Sequence, residues 1–429
     1  MINLDESFLG RVLAPGLVDE FITSNAETIS KVLTGQYGMP EALGWFNVEE
    51  NVENTMLQKI IEHAEKIRAN ADIFVLVGVG GSNRAAQSII EGLAYNKNDK
   101  QQIVYMGNTF SARAIQESVE ILETAMRQGK NIHVNIIAKN FSTLEPAIAF
   151  RLIRSLMREK YGNDYINHIT LTGSYGKGQL AGIAELEGFS FFEFPQAVGG
   201  RFSAFTAVGL LPMAIAGVNI KNFIKGAKIC ADHLKLSWKG GAALRYAVIR
   251  HLLQTKGFAV EALCYFEPCF EMLARWWLQL HGESEGKKPD ALLPVISCFS
   301  EDLHAIGQYY QEGGRFLFET FLDFFHCSDL TVPASDFDDN LSYIEGRPFS
   351  FLNRSVSKAV ADAHCQAGIP LLRFESDKLD EEILGEFMYM QMLSAYFSAA
   401  FLGVEPFDQN GVEMYKRNLQ YELKKREEL

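Results

Sequence analysis

Short apolar runs alternate with amphipathic stretches along most of the chain. In the first half, each run is followed by a Gly or Ser/Thr turn and then by a helical pattern, at residues 73–77, 103–106, 132–138, 165–170 and 189–194. A second series of runs follows at residues 258–265, 292–298, 316–322 and 369–374. Strands that alternate with helices in this way indicate parallel sheets covered on both faces.

The two series predict an α/β protein with two doubly wound parallel-sheet domains and a C-terminal helical extension. The helices are predicted at residues 82–91, from about 142, and at 268–280, 302–311 and 412–429. We therefore expect an N-terminal helical segment, a first domain, a helical connection, a second domain and a C-terminal helix, at residues 1–45, 46–200, 201–240, 241–405 and 406–429. The charged C-terminal helix is expected to pack back across the body.

The composition is that of a soluble globular protein. Of 429 residues, 48% are hydrophobic and 22% are charged. No uncharged apolar run of about 18 residues is present, so we expect no membrane span. The first residues lack the basic start and apolar middle of a signal peptide, which favours a cytoplasmic protein. The six cysteines form no CxxC pair and no zinc-finger spacing, so we expect reduced thiols and no metal site.

The net charge of −13 argues against broad nucleic-acid binding. A phosphorylated metabolite could still bind, but the positive potential that it needs would have to be local. Backbone amides at helix N-termini would supply such a potential.

A glycine-rich segment follows the first apolar run. It reads Gly78-Val79-Gly80-Gly81-Ser82 and lies between a predicted strand and a predicted helix. Glycines there let the backbone approach an anion closely, and Ser82 adds a hydroxyl. The spacing fits neither the dinucleotide fingerprint nor the Walker A loop. An ordinary tight turn with a helix cap explains the segment equally well.

A second candidate loop follows the third apolar run. It reads AKNFST from Ala138 to Thr143, and Glu145 and Pro146 come next. Ser142 and Glu145 have capping-box spacing, and Pro146 suits a first helical turn. A well-capped helix is a complete explanation. In the alternative, the hydroxyls and amides of this loop bind the same phosphate as the first loop.

Two further segments carry charged groups that suit proton transfer beside an oxyanion. Arg201 follows two glycines in VGGRFS, and its guanidinium stays charged. Glu283, in QLHGESEGK, ends a helix rich in large apolar residues. A carboxylate held against apolar surface would be the stronger base. A surface Arg and a polar helix end are the ordinary alternatives.

His304 and Lys416 complete the candidates. His304 lies in DLHAIGQYYQEG, in the first turn of a predicted helix, and a His there could move a proton on or off a sugar ring oxygen. Lys416 ends FDQNGVEMYK, on the second turn of the last helix. In isolation, a structural His and a solvated Lys are the commoner cases.

Taken in order, these segments resemble phosphoglucose isomerase of the shorter bacterial type. GVGGS is similar to the first phosphate loop of that family, VGGRFS with TAVGLLP to one of its signatures, and FDQNGVEMYK to its C-terminal signature. GESEGK and DLHAIGQYYQEG resemble the segments of its catalytic Glu and ring-opening His. The resemblance runs from about Gly44 to Asn418. It implies two sugar-isomerase domains that interconvert glucose 6-phosphate and fructose 6-phosphate without a metal or cofactor.

The resemblance also implies a role for each residue. Glu283 would move the proton between C2 and C1 through a cis-enediol, and Arg201 would stabilise the charge on the enediol. His304, with Lys416 as its partner, would assist ring opening. The substrate would be contacted by Gly81, Ser82, Lys139, Asn140, Ser142, Thr143, Gln279 and Gln409. A homodimer is implied, in which the His crosses the subunit interface.

The second loop departs from the family pattern. Where the bacterial type commonly reads SKSGTT, this chain reads AKNFST, so Ala138 removes one hydroxyl while Asn140 can still donate through its amide. Losing a hydrogen bond to a charged group costs about 1.5–3 kcal/mol. We therefore expect weaker phosphate binding rather than lost chemistry, and Arg84 could restore some positive charge.

Two alternatives stay open from the sequence. The altered loop is compatible with an isomerase for another sugar phosphate, such as mannose 6-phosphate. A non-catalytic sugar-phosphate-binding or regulatory protein would share the domain type, but it would not need the four residues Arg201, Glu283, His304 and Lys416.

Overall fold

The computed structural model describes residues 1–10, 12–48, 52–93, 101–139, 141, 143–176, 179–326 and 330–425. The strands in these ranges are β1 (Asn3–Asp5), β2 (Ile73–Val77), β3 (Gln102–Met106), β4 (Ile132–Ile137), β5 (Ile169–Gly173), β6 (Ser190–Glu193), β7 (Val260–Tyr265), β8 (Leu293–Cys298), β9 (Leu317–Asp323) and β10 (Leu371–Glu375).

The α-helices in the same ranges cover the two faces of the sheets and connect their strands. They are α1 (Leu17–Ser24), α2 (Ala26–Leu33), α3 (Asn54–Asn70), α4 (Arg84–Leu93), α5 (Ala112–Arg127), α6 (Leu144–Tyr161), α7 (Gln179–Glu187), α8 (Ala207–Ile215), α9 (Ile220–Ser237), α10 (Ala242–Thr255), α11 (Glu271–Glu285), α12 (Gly307–Glu312), α13 (Phe349–Gln366), α14 (Glu381–Leu402) and α15 (Glu413–Lys424).

The strands form two five-stranded sheets with related topology. The first has the order β3-β2-β4-β5-β6 and is parallel throughout. The second has the order β8-β7-β9-β10-β1, in which the first four strands are parallel and β1 is antiparallel at the edge. In each sheet the first parallel strand lies between the second and the third. This confirms the α/β class with two doubly wound parallel sheets.

Burial explains why the strands appear in the sequence as continuous apolar runs. Every residue of β2 and β4 is buried, as is usual for central strands of a parallel sheet with helices on both faces. A single apolar cluster includes Phe74 of β2 and Phe374 of β10, so the two sheets share a continuous core. Helix α14 is buried from Ile383 to Ala400 and packs against α9, α10 and α11. It is therefore a core helix, apolar around its circumference.

Two expectations from the sequence are wrong. The run at 165–170 is mostly not a strand, because a 3₁₀ turn over Gly162–His168 precedes β5. Tyr165 is buried from that turn, so apolar side chains of a turn imitated a strand. The second error concerns α15, which buries none of its residues. Its apolar side chains, including Met414 at 71% exposure and Tyr421 at 65%, face solvent in the single chain.

Two further properties concern the described part of the chain. Across the described ranges, no helix has both the length and the apolar character that a membrane crossing requires. Five of the six cysteines are thiols outside any disulfide, and Cys327 lies outside the described residues.

Candidate active site

The candidate site begins at the carboxyl edge of the first sheet. There β2 lies between β3 and β4, so the chain leaves β2 toward one side of the sheet and β4 toward the other. Ligands of open parallel sheets bind in the crevice at such a switch point. The first candidate loop, at residues 78–82, and the described residues of the second, Ala138, Lys139, Phe141 and Thr143, follow β2 and β4 and therefore flank this crevice.

The first loop is in close contact with the segment that carries Arg201. A β-carbon added at Gly81 would lie 2.2 Å from the carbonyl carbon of Gly200, so only a glycine fits there. The hydroxyl of Ser203 donates to the carbonyls of Gly81 and Gly200 at 3.2 and 2.7 Å. The GVGGS and VGGRFS motifs, about 120 residues apart in sequence, therefore pack directly against each other through their backbones.

The same loop also meets helix α11. Gly80 has a φ of +57°, which favours glycine. A β-carbon at Gly80 would lie 3.1 Å from Nε2 of Gln279. Half-buried Ser82 ends the turn, and α4 begins two residues later. The first loop is thus placed between the Arg201 segment and α11.

In the second loop, Lys139 was expected to contact the substrate, but it binds backbone carbonyls instead. The ammonium of Lys139 donates to the carbonyls of Gln196 and Val198, both at 2.9 Å, and so ties the loop to the chain before Arg201. Ala138 is 3% exposed and belongs to the apolar cluster of the first sheet. Exposed Thr143 precedes α6 without a side-chain cap, one residue later than the capping box predicted. Asn140 and Ser142 lie outside the described residues.

Glu283 stands at the centre of a group of polar side chains on α11 and around it. Its carboxylate accepts from Nε2 of Gln279 at 2.9 Å, from Nη1 of Arg201 at 3.1 Å and from Nε2 of Gln409. The side chain of Glu283 is 32% exposed. The apolar surface expected around this carboxylate is therefore wrong, because α11 turns Glu283 toward polar donors while its large apolar residues face the core.

Arg201 is the buried member of this group, at 2% exposure. Beside Glu283, its guanidinium donates to the hydroxyl of Ser284 at 2.9 Å and to the carbonyls of Pro406 and Asp408. Burial lowers the pKa of Arg201, and the charge of Glu283 opposes this effect. One guanidinium thus joins α11 to the segment before α15.

An ion pair holds that last segment in place. Nζ of Lys287 lies 2.6 Å from Oδ1 of Asp408, and Lys288 donates to the carbonyl of Leu402 at 2.5 Å. These contacts position Gln409 beside Glu283. A cleft of about 720 Å³, within the usual size of ligand sites, is lined by Gly282, Glu283, Lys287, Asp408, Gln409 and neighbouring residues.

Behind Glu283, α11 is anchored by a buried ion cluster. Arg250 donates to both carboxylate oxygens of Glu285, at 2.7 and 2.9 Å, and to Glu261 at 2.6 Å. His281 lies 2.7 Å from Glu285. Burial disfavours the charge of Glu285, yet Arg250 and His281 outweigh it and lower its pKa to about 2.

The structure does not bring all the predicted residues together. His304 is exposed and ends a 3₁₀ turn at Glu301–His304, so it is not in the first turn of α12. Lys416 is the fourth residue of α15 and pairs with Glu413 at 2.7 Å. Among the described residues, no hydrogen bond or ion pair joins either side chain to Glu283.

Three contributors were missed from the sequence. Ser284, Lys287 and Asp408 lie within GESEGK and FDQNGVEMYK, but those motifs predict no role for them. Opposite charges in GESEGK and FDQNGVEMYK were the signal that could have suggested the Lys287–Asp408 pair. Within the described ranges, no three His, Cys, Asp or Glu side chains are grouped as metal ligands would be.

Comparisons with known proteins agree on one family. The family described as Phosphoglucose isomerase matches residues 44–300. A protein of Staphylococcus haemolyticus named glucose-6-phosphate isomerase is 37% identical over 401 residues, which are 92% of this chain and 89% of that protein.

Two solved structures establish the similarity of fold. A hypothetical protein from Thermus thermophilus has a TM-score of 0.89 and 24% identity, over 99% of this chain and 100% of that one. A glucose-6-phosphate isomerase from Chlamydia trachomatis has a TM-score of 0.81 and 16% identity, over 100% of this chain and 89% of that one.

Proposed function

This chain belongs to the phosphoglucose isomerase family, and on that basis we propose that it interconverts glucose 6-phosphate and fructose 6-phosphate. The observation that supports this most is the position of the Glu283 carboxylate. It lies next to the Arg201 guanidinium, 3.1 Å away, and one helical turn from Gln279, which touches the glycine loop of the first sheet. A base, a fixed positive charge and an anion-binding loop are therefore combined in one place.

In the proposed mechanism, Glu283 is the only general base that the carbon chemistry needs. Its carboxylate takes the proton from C2 of the aldose and returns it to C1, while the proton of the C2 hydroxyl passes to the oxygen on C1, which gives the ketose through a cis-enediol. One carboxylate can serve both carbons because they are adjacent. Arg201 stabilises the negative charge that develops on the enediol oxygens, and its burial strengthens that interaction.

Two glutamines would orient the sugar around this carboxylate. Oε1 of Gln279 is buried and has no partner among the described residues, so it is available to accept from a substrate hydroxyl. Gln409 donates to Glu283 and can exchange this contact for one to the sugar. The first loop, with Gly81 and Ser82, would bind the phosphate together with Thr143 and its neighbours in the second loop.

Ring opening would require a second copy of the chain. His304 lies on the side of the molecule that contains the second sheet. Its side chain is exposed, and in the part of the chain that is described it forms no bond to Glu283. In a homodimer with two-fold symmetry, the His304 of each subunit would complete the site of the other. Lys416 would act with it near the ring oxygen. We propose such a dimer, located in the cytoplasm.

The test is to replace Glu283 by Gln. The variant keeps the size of the side chain but loses the base, so kcat for fructose 6-phosphate should fall by about 10²–10⁴-fold. Glucose 6-phosphate formation is measured with glucose-6-phosphate dehydrogenase. Glu271→Gln is the matched control, because Glu271 lies on the same helix with 52% of its side chain exposed. Wild-type protein without activity toward fructose 6-phosphate would refute the proposal, as would a fully active Glu283→Gln variant.

A further inference from the structure

An arginine that the resemblance does not assign lies beside the first loop. Arg84 is the first residue of α4, two residues after Ser82. Side chains of a helix lean toward its N-terminus, so Arg84 leans over the turn that precedes it. That turn is the one that faces the crevice of the first sheet.

The packing of α4 on α11 determines which residues of α11 lie opposite Arg84. The two helices run antiparallel: Gly80 is opposite Gln279, and the hydroxyl of Ser88 donates to the carbonyl of Met272 at 2.8 Å. Arg84 lies midway between these two contacts. It therefore faces the part of α11 one turn before Gln279.

The residue on that turn of α11 is another arginine. Arg275 is paired with Glu271 at 2.8 Å, and Glu283 is paired with Arg201 at 3.1 Å. Burial and the charge of Arg275 disfavour the charged form of the Arg84 guanidinium and so lower its pKa. The negative charge of Glu283 acts in the opposite direction and raises that pKa. Arg84 is thus close enough to both neighbours to interact with their charges.

Arg84 has no ion pair of its own in the described part of the chain. A half-buried cation without a partner is unfavourable, and a second cation nearby makes it more so. An anion bound at this place would remove both penalties. The adjoining turn provides backbone amides at the N-terminus of α4, which also favour an anion.

We propose that Arg84 binds the phosphate group of the sugar phosphate. This inference rests on the proposed function for the identity of the ligand, and it concerns a phosphate monoester dianion. Lys139, the cation of the second loop, is held by the carbonyls of Gln196 and Val198. Arg84 supplies from the first residue of α4 the planar, bidentate donor that suits a phosphate.

The experiment compares Arg84→Gln and Arg84→Lys with the wild type. The dissociation constant of inorganic phosphate is measured by calorimetry, and KM and kcat are measured for fructose 6-phosphate. Arg84→Gln should weaken phosphate binding and raise KM by about 10- to 100-fold, with a much smaller change in kcat. Arg84→Lys, which keeps the charge but not the fork, should lie between the two.

Arg113→Gln is the matched control, since it removes the same charge from a side chain that is 90% exposed and paired with Glu117. It should leave both constants unchanged. Arg84→Gln should melt no lower than the wild type in the absence of phosphate, because it removes an unpaired cation. A large fall in melting temperature would show a structural partner and overturn the proposal.

Two kinetic outcomes would also overturn it: unchanged phosphate binding and KM in Arg84→Gln, or a fall in kcat alone, which would mean that Arg84 acts on Glu283. If the wild type does not isomerise fructose 6-phosphate, the proposed function fails. The calorimetric comparison with inorganic phosphate still decides the role of Arg84 in that case.

Discussion

Among single residues, Arg201 has the densest set of partners in the candidate site. Its guanidinium serves a carboxylate, a hydroxyl and two backbone carbonyls. Because these partners lie on two separate segments of the chain, α11 and the residues before α15, the same side chain is expected to matter for both catalysis and stability.

Replacing Arg201 by Lys should lower kcat by about 10²–10³-fold, because an ammonium on a flexible stem cannot reproduce the planar fork beside the enediol. The free energy of unfolding should fall by about 1–3 kcal/mol, from lost hydrogen bonds to a charged group. The coupled assay and urea unfolding measure the two effects. Arg113→Lys on the surface should alter neither, and an Arg201→Lys variant with full kcat would contradict the assigned role.

Gly81 gives a second prediction at this scale. Gly81→Ala places a methyl group 2.2 Å from the carbonyl carbon of Gly200, so the two loops must separate, at a cost of about 1–3 kcal/mol. The variant should lose activity and melt earlier. Gly182, on α7, has nothing within 4 Å of an added β-carbon, so Gly182→Ala should be neutral or stabilising. Equal effects of the two variants in thermal melting would argue against the close contact.

Among the secondary-structure elements, helix α11 carries residues of the cleft and residues of a buried ion cluster at alternate positions. Gln279 and Glu283 face the cleft, whereas His281 and Glu285 face the buried cluster around Arg250. The cluster fixes the last turn of the helix and thereby the direction of the Glu283 side chain.

Glu285→Gln should destabilise the protein at neutral pH by about 3–5 kcal/mol, because it leaves buried Arg250 with one charged partner fewer. The pKa of Glu285 is lowered from 4.5 to about 2, so its contribution is present above pH 4.5 and is lost as the pH falls toward 2. The difference in unfolding free energy between wild type and variant should therefore shrink over that window. A difference independent of pH, in urea titrations at several pH values, would contradict this.

The sequence predicted elements better than it predicted contacts. Continuous apolar runs identified eight of the ten strands, because buried parallel strands have no polar face, but β1 is too short to give such a signal. The buried turn at Gly162–His168 was confused with a strand because it also buries aromatic residues. The use of Lys139 could not be predicted, since its acceptors are backbone carbonyls nearly 60 residues away. Glu283 and Arg201 were found through sequence motifs. Arg250, which anchors α11, lies on a helix that carries no such motif, so it could not be found in this way.

For the whole molecule, the exposed position of His304 gives a prediction about subunits. Glu283→Gln and His304→Ala should each be nearly inactive alone. Mixed and allowed to exchange subunits, they should recover about a quarter of the wild-type activity, because half of the dimers then contain one intact site. Sedimentation measures the dimer, and the coupled assay measures the recovery. A dimer without recovery would place His304 in the site of its own subunit.

The antiparallel pairing of β1 with β10 also determines when the molecule can be completed during synthesis. Asn3 is paired with Glu375, and the amide of Ile2 donates to Glu386, so β1 must wait for partners that the ribosome makes much later. The first sheet, whose strands all lie between Ile73 and Glu193, needs no such delay. Folding on the ribosome should therefore proceed with the first sheet formed and the amino-terminal strand still unpaired, a vulnerable stage at which a chaperone would have most to protect.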